Sequence, residues 1–139
     1  MICQSPDLIS ALKEHEGWVV KENENTLVIT NEDNIDAFLA ISGEQILVEV
    51  LLFSKDQVKN SQDLNDYVLK THKMFPLTTI GINEIDGDEY YVAFGSLSSQ
   101  SKLESVIIEV ATLFRNVEAF IELYQEFLVA GEQIMESGQ

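Results

Sequence analysis

Ile35-Asp-Ala-Phe-Leu-Ala-Ile-Ser-Gly-Glu-Gln-Ile-Leu-Val-Glu-Val-Leu-Leu52 holds two alternating runs hinged on a turn. Ile35, Ala37, Leu39 and Ile41 alternate with Asp36, Phe38, Ala40 and Ser42. After Ser42-Gly43-Glu44, Ile46, Val48, Val50 and Leu52 alternate again, with Glu49 on the opposite side. Period two over seven residues marks a strand buried on one face. So short a turn joins the two strands antiparallel. Upstream, Trp18-Val-Val20 and Leu27-Val-Ile29 flank a turn at Asn23-Glu-Asn25 and add two more strands. The result is a four-stranded meander covered on one side.

Working outward, Ser5-Pro6-Asp7 starts a helix: a capping hydroxyl, proline in the first turn, then an acid that suits the helix dipole. Leu8, Ile9 and Leu12 give it a short apolar face, and Gly17 stops it. Beyond the meander, residues 55–60 read as a polar connection. Ser61 with Asp63 opens a second helix carrying Leu64, Val68, Thr71 or His72, and Phe75. Pro76 ends it, because the residue before proline is pushed out of helical geometry. Residues 77–85 and 89–97 then form a hairpin on Asp86-Gly87. Gly81 and Gly95 inside those strands signal a bulge or a close approach of backbone.

The last element is the longest. Ser101-Lys-Leu-Glu104 has the form of a capping box. Beyond it Leu103, Ile107, Val110, Phe114, Val117, Ile121, Tyr124 and Leu128 alternate by four and three. Val106, Leu113, Phe120 and Phe127 widen that stripe. A helix over residues 101–133 would span roughly 50 Å, against about 30 Å for a small domain. Part of the seam is therefore expected to bury against a second chain, with Val117, Ile121, Tyr124 and Leu128 as the contact residues. The rival expectation is that the whole seam is core. The fold class is α+β, an antiparallel sheet with helices in the order α-β-β-β-β-α-β-β-α, one domain over residues 1–139.

Composition narrows the function. Eight basic residues against twenty-four acidic ones give a net charge of −16, which repels nucleic acid and anionic lipid. The acids are spread along the chain, so they serve solubility or a basic partner. Nothing approaches the ~20 apolar residues of a membrane span, and one cysteine, Cys3, fits a reducing compartment. A cytoplasmic protein is expected.

No reaction is written in the motifs. The chain has two histidines, His15 and His72, and no HExxH, CxxC or glycine-rich phosphate loop. Each histidine sits late in a helix, where positive charge suits the dipole. The acids Asp86-Gly-Asp88-Glu89 are too few and too crowded for a calcium loop. No catalytic, cofactor or metal residue is assigned. The alternative to a binding protein is a small-ligand or enzymatic domain with a pocket between sheet and helices, using Tyr90, His72 and Glu89.

Lys73-Met-Phe-Pro-Leu-Thr-Thr-Ile-Gly-Ile82, Glu89-Tyr-Tyr-Val-Ala-Phe-Gly-Ser-Leu-Ser98 and Lys102-Leu-Glu-Ser-Val-Ile-Ile-Glu-Val110 together resemble the bacterial YjfI-like family, small cytosolic proteins without an assigned activity. The resemblance implies context rather than catalysis. Members tend to be encoded beside proteins similar to phage shock protein A, the coiled-coil protein of membrane stress, which suggests a helical, partly basic partner. The element order is also similar to that of type III secretion chaperones and YbjN-like proteins, which implies a homodimer that binds other polypeptides. The expected function is thus non-enzymatic, acidic and chaperone- or adaptor-like.

Overall fold

A computed structural model describes residues 6–129; Cys3, the Ser5 cap and the end of the last predicted helix, residues 130–133, lie outside them. Helix α1 (Pro6–Glu14) leads into strands β1 (Val19–Asn23), β2 (Thr26–Thr30), β3 (Asp36–Ser42) and β4 (Gln45–Ser54). Helix α2 (Ser61–Thr71), the hairpin β5 (Thr79–Ile85) and β6 (Asp88–Ser98), and helix α3 (Leu103–Tyr124) follow. This is the predicted order. Among the described residues no helix is long and apolar enough to cross a membrane.

The sheet is antiparallel throughout, in the order β1-β2-β3-β4-β6-β5. The meander supplies four adjacent strands, and β6 joins the free side of β4, leaving β5 and β1 as edges. Asp86 (φ 53°) and Gly87 (φ 89°) both lie at positive φ, the tight turn whose twist matches a hairpin. The ladder irregularity falls in β4, between Leu51 and Phe53, rather than at either strand glycine.

Helices α1, α2 and α3 cover one face. Ala37, Leu39, Ile46, Val48, Val50 and Ala93 from the sheet meet Leu8 and Leu12 of α1, Leu64 and Val68 of α2, and Val106, Val110, Leu113, Val117 and Phe120 of α3. Rings tie α2 to the end of α3 and the turn that follows it: Tyr67 meets Tyr124 edge-on at 6.1 Å and Phe127 at 5.1 Å.

One helix start differs from expectation. Helix α2 opens at Ser61 as expected, and Asn60 before it is the cap, its side chain accepting from the amides of Gln62 (3.0 Å) and Asp63 (3.2 Å). At α3 the Ser101–Glu104 box does not form; Lys102 is the N-cap and contributes no side-chain bond. Helix α3 is also shorter than predicted. Its 22 residues span about 33 Å, and the chain then tightens into a 3-10 turn at Gln125–Phe127. Leu128 forms a bridge with Val58, with Lys59 N–H donating to Phe127 O (2.9 Å) and Val129 N–H to Gln57 O (2.8 Å). The end of the seam is tied back onto the connection after β4.

Candidate functional site

The four residues predicted to meet a second chain do not form an open face. Val117, Tyr124 and Leu128 are buried in the chain's own core, and Ile121 is half-buried against it. The reason is geometric. Helix α3 lies across the sheet between α1 and α2, so neighbours on both flanks cover a stripe wider than a two-stranded seam needs. Burial pushes the Tyr124 hydroxyl up to about 12, with the Thr71 hydroxyl opposing weakly. That phenol is neutral and packed, not a contact poised for a partner.

The enzymatic set does not converge either. His72 Nε2 accepts the backbone N–H of Ile80 at 3.0 Å, pinning the chain between α2 and β5. Glu89 receives the Lys55 ammonium at 3.0 Å. Tyr90 follows Glu89 in β6 and so faces the other side of the sheet. His15 stacks on Trp18 at 3.6 Å.

Helix α3 does hold a buried polar row that sequence reasoning missed. Glu109, Thr112 and Asn116 are spaced by three and four, on one side of the helix. The Asn116 side-chain amide donates to Pro76 O (2.9 Å) and to the Thr78 hydroxyl (2.8 Å), anchoring the entry to β5. Glu109 packs onto Gly95 of β6, where any Cβ would overlap its carboxylate. Burial raises the pKa of Glu109 above the usual glutamate value. The spacing was legible in the sequence, interrupting an otherwise apolar stripe.

Among the described residues two apolar surfaces remain open. The first is a groove of about 320 Å³ between α2 and the β5 edge, lined by Asn65, Val68, Leu69, Ile80, Ile82 and Tyr91, with the backbone of Gly81. Its floor is set by the Tyr91 hydroxyl, which donates to Asn65 Oδ1 at 2.6 Å. Leu69 is 77% exposed and Ile82 40% exposed. Met74 and Leu77, in the connection from α2 to β5, are exposed nearby in sequence. Among the described residues the outer edge of β5 carries no strand partner. Leu69 could have been singled out, because it falls one residue off the Leu64–Val68 face of α2.

The second is the sheet face turned away from the helices. One register row crosses all six strands there: Lys21, Val28, Phe38, Glu49, Phe94 and Thr79. Glu49 sits between the two phenylalanines. Desolvation raises its pKa above the usual value. Phe94 also reaches over Gly81, where an added Cβ would stand 3.2 Å from its ring.

The matched family and folds fit this architecture. A family model described as an uncharacterised protein conserved in bacteria, DUF2170, matches residues 7–128. Protein YjfI of Escherichia coli K12 is 31% identical over 110 residues, covering 78% of this chain and 83% of that protein. Among solved structures, the chain is similar to one in the HopA1–SchA chaperone–effector complex (TM-score 0.60, 18% identity, 84% of this chain and 88% of that one). It is also similar to YbjN of E. coli (TM-score 0.64, 17% identity, 90% and 96% covered). A chain of the ExsC–ExsE complex is a further likeness (TM-score 0.55, 16% identity, 79% and 81% covered). These likenesses show an α+β fold of the type III chaperone and YbjN kind. The chain belongs to the DUF2170 family, the YjfI-like proteins of bacteria.

Proposed function

We propose that this is a non-enzymatic, cytoplasmic polypeptide-binding protein, chaperone- or adaptor-like, working as a homodimer. The observation that carries the reading is the groove between α2 and β5. It is apolar, open, and lined by side chains with no convergent acid, base or nucleophile. An amphipathic helix laid into it would bury the exposed Leu69 and Ile82 and the half-buried Ile80, the helix-in-groove mode of recognition. Two of the similar structures are complexes between two proteins, which supports the reading. The partner we favour is a helical protein of the phage-shock-protein-A kind, which would place the chain in envelope stress.

The test is binding of a purified phage-shock-protein-A-like coiled coil to the wild type and to Leu69→Asp/Ile82→Asp. Both side chains are substantially exposed, so the melting temperature should move little. Binding should fall at least about tenfold, the equivalent of roughly 1.4 kcal/mol. Unaltered binding in the variant would remove the groove from the proposal, and no binding by the wild type would remove this partner. Light scattering on the eluted protein checks the dimer; a strict monomer at micromolar concentration sinks that element.

A further inference from the structure

The open sheet face carries a feature that the groove does not explain. Glu49 lies at the centre of the sheet, with Phe38 on β3 and Phe94 on β6 as its directly paired neighbours. Strands are 4.7–4.9 Å apart, so the two rings flank the carboxylate across a gap of about 10 Å. Leu47 and Leu51 stand on either side of Glu49 along β4, on the same face. Among the described residues the ion pairs are Lys55–Glu89 and Lys70–Asp66, and no cation lies within 4 Å of Glu49. The other charged groups on this face are Lys21, two strands beyond Phe38 in the same row, Asp36 on β3, and Asp88 at the start of β6, six residues before Phe94. A half-buried carboxylate with no partner, framed by two aromatic rings on an apolar sheet, is an incomplete ion-pair site.

We propose that Phe38, Glu49 and Phe94 form a receptor for an arginine side chain presented by a polypeptide partner. A guanidinium stacks on phenyl faces and offers paired N–H donors to a carboxylate, and it is less strongly hydrated than an ammonium. It therefore suits a desolvated acid between two rings better than lysine does. The partner's flanking apolar side chains would cover Leu47 and Leu51. The net charge of −16 draws a basic segment toward the molecule from any direction. The ring-flanked carboxylate selects where the arginine is held. The inference rests on the polypeptide-binding reading only for the kind of molecule that carries the arginine, since its surface is separate from the groove.

The experiment uses a fluorescent leucine–arginine peptide, with lysine and citrulline versions of the same length, titrated into the full chain by anisotropy. The arginine peptide should bind most tightly and the citrulline peptide, which lacks the charge, at least about tenfold more weakly. Glu49→Gln and Phe94→Leu should each cost a similar factor. Glu22→Gln and Glu44→Gln, which remove exposed acids away from the Phe38–Glu49–Phe94 set, should leave binding near wild type. Equal losses in the three Glu→Gln variants, with Phe94→Leu near wild type, would reduce the effect to overall acidity and overturn the site. Wild-type affinity in Glu49→Gln would overturn it too. The groove variant Leu69→Asp/Ile82→Asp should bind the arginine peptide normally, so the two surfaces fail or stand separately.

Discussion

Gly95 is glycine because of a residue on another element. Its backbone lies under the Glu109 carboxylate, and a methyl group there would overlap it. Gly95→Ala should destabilise the fold by about 1–3 kcal/mol, the range for overpacking a filled interior. Gly95→Ala combined with Glu109→Ala should cost less than the sum of the two, because the second change removes the obstacle to the first; urea unfolding of the four-member cycle measures this. Glu109 itself carries a penalty. Its folded pKa is raised above 4.5 by burial, so the folded state favours the protonated acid. Stability is therefore gained as pH falls through the raised value and is missing at neutral pH. Glu109→Gln should raise the melting temperature at pH 7.5, with the gain shrinking as pH approaches 4.5. The two meanings of a strand glycine were both readable at position 95; the helix carboxylate that selects one of them was not.

Helix α3 shows how a correct periodicity can be assigned the wrong use. The stripe from Leu103 to Leu128 reads equally well as a coiled-coil seam or as core, since 3.5 and 3.6 residues per turn diverge slowly. The structure adds α1 and α2 on either side, and the stripe is buried by Val106, Leu113 and Phe120 as much as by the seam. Truncation after Glu122 removes Tyr124, Phe127 and Leu128, whose contacts join α2 and the Val58 segment. Loss of a buried large apolar side chain costs roughly 2–5 kcal/mol, so the truncated chain should lose its cooperative thermal transition by circular dichroism. A truncated protein with a wild-type transition would show that the end of the stripe is dispensable. At the start of α2, Asn60→Ala should cost about 1 kcal/mol through the lost cap. Asn60 directly precedes the residue that the sequence pattern favoured as the start; Ser61 and Asn60 are both good caps, and the backbone chooses between them.

Charge is a property of the entire chain, and here it works against compactness. With −16 on 139 residues, self-repulsion lowers stability at low salt. Three acids add to this in the same direction. Desolvation raises Glu49 and Glu109; a hydrogen bond to Asp33 is the first cause for Glu118, followed by burial and the Asp33 charge. Each takes up a proton more readily folded than unfolded, so the melting temperature should rise as pH is lowered from 7.5 toward 5. The Glu49→Gln/Glu109→Gln/Glu118→Gln triple variant should flatten that rise. Differential scanning calorimetry across the range checks it; a melting temperature that falls steadily from pH 7.5 would contradict the assignment.

Local chemistry alone was enough for the order of elements, the one-sided burial of the strands and the hairpin at Asp86-Gly87, because alternation, capping and positive φ act over a few residues. The same chemistry left Tyr124 and Leu128 ambiguous, since an apolar stripe records that a face is buried but not against what. Packing three helices onto one face of a six-stranded sheet turned that stripe inward. It also opened the α2–β5 groove and left Glu49 between Phe38 and Phe94. Phe38 and Glu49 share one short hairpin, but Phe94 comes from a segment far along the chain, and only the pairing of β4 with β6 sets it beside Glu49.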